Sequence, residues 1–142
     1  MQGEGFFAVA DYLLKNPPPK WQEASDRTAV SRIYYAAFIY SRDLMEKWGC
    51  QFTDGVVHAQ VAEGLKASDQ SELVRIGCKI ANLHGERKRA DYQTKTVQGF
   101  SFDKIKQLYE DVVPELQRRW EHLNGRQRSE ALAKIRARIE SV

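Results

Sequence analysis

Residues 29–48 read AVSRIYYAAFIYSRDLMEKW. Val30, Ile33, Ala37, Tyr40, Leu44 and Trp48 follow one another at steps of three or four. That spacing puts them on one side of an α-helix and is incompatible with the strict alternation of a strand. A second row, Ser31, Tyr35, Phe38, Arg42 and Met45, runs beside it with the same period. Upstream, Ser25 or Asp26 has the side chain of a helix N-cap. Pro17-Pro18-Pro19 is a hard break, because proline removes backbone donors and forces extended geometry before it. Gly49 marks the helix end.

The same periodicity extends outward in both directions. A short helix is expected from about Gly5 to Lys15, a loop over 50–56 and a helix from Val57 to Lys66. Ser68 or Asp69 is the expected cap of the next helix, which reaches Tyr92 with the stripe Leu73, Ile76, Ile80, Leu83. Residues 93–100 are polar and aperiodic and read as a loop. Ser101 then caps a helix containing Phe102, Ile105, Leu108, Tyr109, Val112, Val113, Leu116 and Trp120, in which Pro114 is expected to cause a kink or an early end. Asn124-Gly125 closes it, and an amphipathic helix follows over Gln127 to Ile139. No segment sustains a period of two. The expected fold is all-α: an antiparallel up-and-down bundle of four to five main helices over residues 1–125, with an additional C-terminal amphipathic helix at 126–142.

The chain has 142 residues, 42% of them hydrophobic and 29% charged, a composition that fits one folded domain and excludes disorder. The longest uninterrupted apolar run, Ile33 to Tyr40, falls well short of the ~20 residues of a membrane span. The N-terminal stretch lacks the cationic start of an export signal, and Cys50 and Cys78 form no CxxC, so a reducing, cytoplasmic setting with free thiols is expected. His58, His84 and His122 are far apart along the chain and none has zinc-ligand spacing, so neither a metal nor a cofactor is expected. The net charge of +3 is uneven: residues 1–71 carry 7 Lys/Arg against 9 Asp/Glu, and residues 72–142 carry 15 against 10. A basic second half suits a polyanionic partner.

One residue breaks the core pattern. The stripe Leu73, Ile76, Ile80, Leu83 lands next on Arg87, where a guanidinium is costly unless paired or placed at an open edge. Asp91, four residues on, is positioned to form a structural ion pair with Arg87. The alternative is an arginine kept at a cleft to grip phosphate, with Lys88 and Arg89 adding charge nearby. On the long helix, Arg32 and Tyr35 offer a second cation and a ring on which a base can stack.

Two segments carry a family resemblance. Ala29-Val30-Ser31-Arg32-Ile33-Tyr34-Tyr35-Ala36-Ala37-Phe38 resembles the SRxYYAxF signature of small prokaryotic HEPN-domain proteins, and Arg87-Lys88-Arg89-Ala90-Asp91-Tyr92 resembles their RxxADY signature, in the same order and about as far apart. The resemblance implies a helical bundle that forms a homodimer and acts on RNA or nucleotides in a toxin–antitoxin or defence system. A partner, such as a nucleotidyltransferase-type antitoxin, would be encoded beside it. It implies an arginine followed four to six residues later by a histidine, both at a composite site on the two-fold axis. Arg87 fits the arginine, but Tyr92 stands where the histidine belongs, and Ile39 replaces a second histidine after the SRxYYAxF phenylalanine. His84 precedes Arg87 instead of following it. Tyrosine, with a pKa near 10, is a poor base at neutral pH. The expectation is therefore RNA or nucleotide binding through Arg32, Tyr35, Arg87, Lys88 and Arg89. Arg87 and Tyr92 are the candidate catalytic pair if RNA is cut, with His84 as the alternative to Tyr92 in proton transfer, and Tyr92 is the candidate acceptor if the partner transfers a nucleotide. The alternatives are an active metal-independent endoribonuclease and a structural scaffold locked by Arg87–Asp91.

Overall fold

The computed structural model describes residues 3–92 and 101–142, and these form six helices. They are α1 (Gly3–Lys15), α2 (Gln22–Lys47), α3 (Val57–Lys66), α4 (Ser71–Tyr92), α5 (Phe102–His122) and α6 (Gly125–Ser141). The expected loop at 93–100 lies outside the described residues. Among the described residues no helix is long and apolar enough to cross a membrane.

The bundle is organised around α2, which touches α1, α3, α4 and α5. Ala29, Val30, Ile33, Tyr34, Ala36, Ala37, Phe38 and Met45 are all buried along it, so both rows read from the sequence face protein. Leu73, Ile76, Ile80 and Leu83 of α4 and Ile105, Val112 and Leu116 of α5 complete the centre. Stacked aromatic pairs close the edges: Phe7 on Tyr109 at 4.2 Å and Trp48 on Trp120 at 4.0 Å between ring centres. Such pairs add about 0.5–1.5 kcal/mol beyond the area they bury.

Helix ends follow local chemistry in some places and depart from it in others. Gly49 takes φ 98°, while its N–H bonds the Glu46 carbonyl and that of Cys50 bonds the Met45 carbonyl, the paired bonds of a Schellman end. Ser101 accepts from the Lys104 N–H as expected, and Asn124 and Gln127 form a reciprocal capping box that starts α6. By contrast, α2 begins three residues before Ser25. Ser25 and Asp26 lie inside its first turns, the Ser25 N–H bonds the Trp21 carbonyl, and Trp21 supplies no side-chain cap. Asp69 is not the cap of α4, because its φ of 60° is left-handed and α4 starts only at Ser71. Nor does Pro114 end α5, which runs on to His122. The C-terminal helix packs on α3 through Ala131, Ile135 and Ile139, and buried Gln60 donates to the Ile139 carbonyl at 3.0 Å.

Two glycines of α4 separate packing from propensity. A Cβ on Gly77 would lie 2.9 Å from the Ala62 carbonyl oxygen and 3.1 Å from Leu65 Cβ, so α3 and α4 approach closely there, whereas a Cβ on Gly85 meets nothing within 4 Å. Gly77→Val is expected to destabilise by about 1–3 kcal/mol through overpacking, and Gly85→Ala to stabilise by about 0.5–1 kcal/mol through helix propensity. Urea unfolding of both variants checks this. Equal effects would mean that the α3–α4 contact is looser than described.

Candidate functional site

The last turns of α4 place His84, Arg87, Lys88 and Asp91 at steps of three, one and three, hence on one side of the helix. That side meets Ser31, Tyr34 and Tyr35 of α2 and His58 of α3. Arg87 is the centre of the polar contacts. Its Nη2 donates to the Tyr35 hydroxyl at 3.0 Å. Its Nε lies 2.7 Å from Asp91 Oδ2, a close ion contact in which the N–H is not aligned as a hydrogen bond. The guanidinium carbon is 5.2 Å from the Tyr35 ring centre and 5.6 Å from that of Tyr92, both within cation–π range. The Arg87 side chain is 16% exposed, so the charge is largely withdrawn from water and its partners matter. Ser31 Oγ donates to Asp91 Oδ2 at 3.4 Å and ties the carboxylate back to α2.

Beside this pair lies a stack of rings. His58 stacks on Phe38 at 4.1 Å, His84 on Tyr34 at 5.1 Å, and the two imidazoles are 5.4 Å apart and nearly parallel. The Tyr34 hydroxyl and His58 Nδ1 are 2.6 Å apart. Burial lowers the pKa of His58, helped by the positive charges of Arg87, Arg42 and Lys88. Burial, with Lys88, His58 and Arg87, depresses His84 to about 4. Both imidazoles are therefore neutral at pH 7 although they lie among cations. Burial raises the Tyr34 hydroxyl well above the ordinary tyrosine value, so it keeps its proton.

Most of the residues expected from the sequence come together here. Arg87, Asp91, Tyr35 and Tyr92 are in contact, and the Arg87–Asp91 pair is present. Tyr92 is 69% exposed. Arg32 is one ring removed: its guanidinium lies 5.4 Å from the Phe6 ring centre, and that ring is 5.9 Å from Tyr35. Lys88 is close enough to the histidines to depress both. Arg89 is not part of the cluster. It lies 3.5 Å from Glu86 and borders a cleft of about 110 Å³ with Ser101, Lys104 and Ile105 of the α5 segment. Two helical residues from Arg87 is a rotation of about 200°, which turns Arg89 to the other side.

Sequence reasoning misses His58 and Tyr34 as members of the site and offers His84 only as the alternative to Tyr92 in proton transfer. His84 was visible three residues before Arg87, on the same helical side, whereas His58 had no signal because α3 brings it in from elsewhere in the chain. Among the described residues no group of three His, Cys, Asp or Glu side chains is arranged to hold a metal ion. A roomier cavity of about 510 Å³ lies elsewhere, between Gly49–Thr53 and Arg136–Glu140. It is an open cleft bordered by Arg136, whose Nε donates to the Gly49 carbonyl, and it gathers no comparable set of titratable groups. Neutral imidazoles beside a fixed guanidinium can hold an anion and exchange a proton near it, so the Arg87 cluster is the better candidate. Compared with family models, with curated proteins and with solved structures, the chain matches none.

The lowered histidines predict a pH signature. The native state resists their protonation, whereas the unfolded chain takes up protons near pH 6.5. The stabilising contribution of His84 is complete above about pH 6.5 and is lost as pH falls towards 4, and that of His58 is lost in the same direction. Thermal melts should therefore decline over that interval, and His84→Phe, which keeps a ring in the stack, should flatten the decline. An unchanged slope in the variant would show that His84 is not held neutral.

Proposed function

We propose that the protein is a HEPN-type module that binds RNA or nucleotide phosphate through Arg87, assisted by Lys88, Arg32 and Tyr35. The observation that carries this reading is the Arg87 guanidinium, fixed by the Tyr35 hydroxyl and Asp91 at the edge of a half-buried stack of aromatic and imidazole rings. Arginine's planar fork suits phosphate, and ring faces suit bases. In this reading the protein acts as a homodimer in a toxin–antitoxin or defence system, with the two Arg87 sites near the two-fold axis and a nucleotidyltransferase-type partner. Arg89, on the other side of α4, is left out of the binding set. Fluorescence anisotropy with a labelled single-stranded RNA tests it: Arg87→Ala is expected to weaken binding by about tenfold or more, and Arg87→Lys, which keeps the charge but not the fork, by less. Unchanged affinity in a variant that circular dichroism shows to be folded overturns the reading.

A second reading, an endoribonuclease that needs no metal, is favoured by a different observation: His84 and His58 lie beside Arg87 although no histidine follows it within the next six residues of the sequence. A neutral imidazole can accept the 2′-hydroxyl proton of RNA, although the low pKa of His84 makes it a weak base. Incubation of RNA with the purified protein in excess chelator is expected to yield 2′,3′-cyclic phosphate ends that vanish in both Arg87→Ala and His84→Asn. RNA left intact across a range of pH rules this reading out and leaves binding.

A further inference from the structure

The histidine on α3 belongs to no sequence motif, yet its ring is the most tightly specified of the cluster. Tyr34 has no exposed surface. Its hydroxyl proton must find an acceptor, because an unpaired buried donor is costly. Among the described residues its hydrogen-bond partner is His58 Nδ1 at 2.6 Å. If Nδ1 carried a proton it would donate to the tyrosine oxygen, and the tyrosine's own proton would be stranded in the core. Nδ1 therefore accepts, and the single proton of a neutral imidazole sits on Nε2. Phe38, stacked 4.1 Å away at 19°, and His84, nearly parallel at 13°, hold the plane of the ring. His58 and Arg87 both border Tyr35, with centroid separations of 6.0 Å for the imidazole and 5.2 Å for the guanidinium carbon.

We infer that Tyr34 locks His58 as its Nε2–H tautomer, and that this N–H is a further, uncharged hydrogen-bond donor of the Arg87 site, offered to a phosphate or ribose oxygen of the nucleotide that Arg87 grips. The inference rests on the phosphate-binding reading of Arg87 and adds to it a contact residue, His58, and a positioning residue, Tyr34. The donor is uncharged, which suits a site where Arg42, Arg87 and Lys88 already oppose a further positive charge. It also explains why a tyrosine hydroxyl is kept in the middle of the core, where phenylalanine would fill nearly the same volume.

Long-range proton–nitrogen NMR on the ¹⁵N-labelled full chain at pH 7 reads the tautomer directly and needs no ligand. The wild type is expected to show His58 protonated on Nε2 alone, and Tyr34→Phe a mixture of tautomers. An Nδ1–H pattern in the wild type overturns the inference. Anisotropy with the same single-stranded RNA supplies the second arm. His58→Phe, which preserves the stack but has no N–H, is expected to lose about fivefold to tenfold in affinity, and His58→Gln, which restores a donor, to regain part of it. Tyr34→Phe should fall between these and the wild type. If His58→Phe binds as well as the wild type while Arg87→Ala does not, the role of His58 is refuted and that of Arg87 stands. If neither substitution weakens binding, both are refuted. Should His58→Phe fail to fold, His58→Gln against His58→Ala decides by the same comparison.

Discussion

Tyr34 is wholly buried and yet carries a hydroxyl, and much of the arrangement around it answers that one constraint. Its ring contacts Tyr35, Phe38, His58 and His84, so a single side chain of α2 links the core to residues of α3 and α4. A phenylalanine there would satisfy the packing. The hydroxyl adds a requirement for an acceptor, and His58 meets it at 2.6 Å. Core packing and the polar site are thus joined at one residue, and α3 is held in register by a directional bond as well as by apolar contact.

The Arg87–Asp91 pair has the same double character. Withdrawing a guanidinium from water is costly, and one carboxylate does not offset the cost unless further groups share it. Here Tyr35 accepts from one nitrogen, Asp91 approaches another, and Ser31 donates to Asp91. The contacts run between α2 and α4, so they help orient the end of α4. A lock of this kind and an anion grip are compatible. The guanidinium has five N–H groups in a fixed fork, and its described partners engage two of its three nitrogens. The binding proposal and the structural role therefore draw on different parts of one side chain.

The other end of the bundle is arranged around Gln60. Its amide oxygen accepts from the Thr53 N–H at 2.8 Å and its nitrogen donates to the Ile139 carbonyl, joining the 50–56 loop, α3 and the end of α6. Gly64 lets Ile135 and Ile139 approach, since an added Cβ would come within 3.2 Å of both. The C-terminal helix thus belongs to the same core as the rest of the bundle. Its apolar stripe is covered by α3.

The helical elements were legible from sequence because helix formation is local: a period near 3.6 with caps such as Ser101 and Asn124 depends on residues within one or two turns of each other. Arg87 and Asp91 were legible for the same reason, being one turn apart on a stripe that otherwise runs apolar. The start of α2 was not, because the chain leaving Pro17–Pro19 enters the helix at once and Ser25, the expected cap, is buried against α1 instead. Nor was the membership of the site. His58 reaches Phe38 and Tyr34 from another helix, α3, which also lies close to α4 at Gly77, and Arg89 leaves the cluster because two residues turn a helix by more than half a revolution. Sequence alone determined which segments are helical and which charge interrupts the core. Which side chains share a site was decided by tertiary packing, since contacts between distant segments follow from how whole helices fit together.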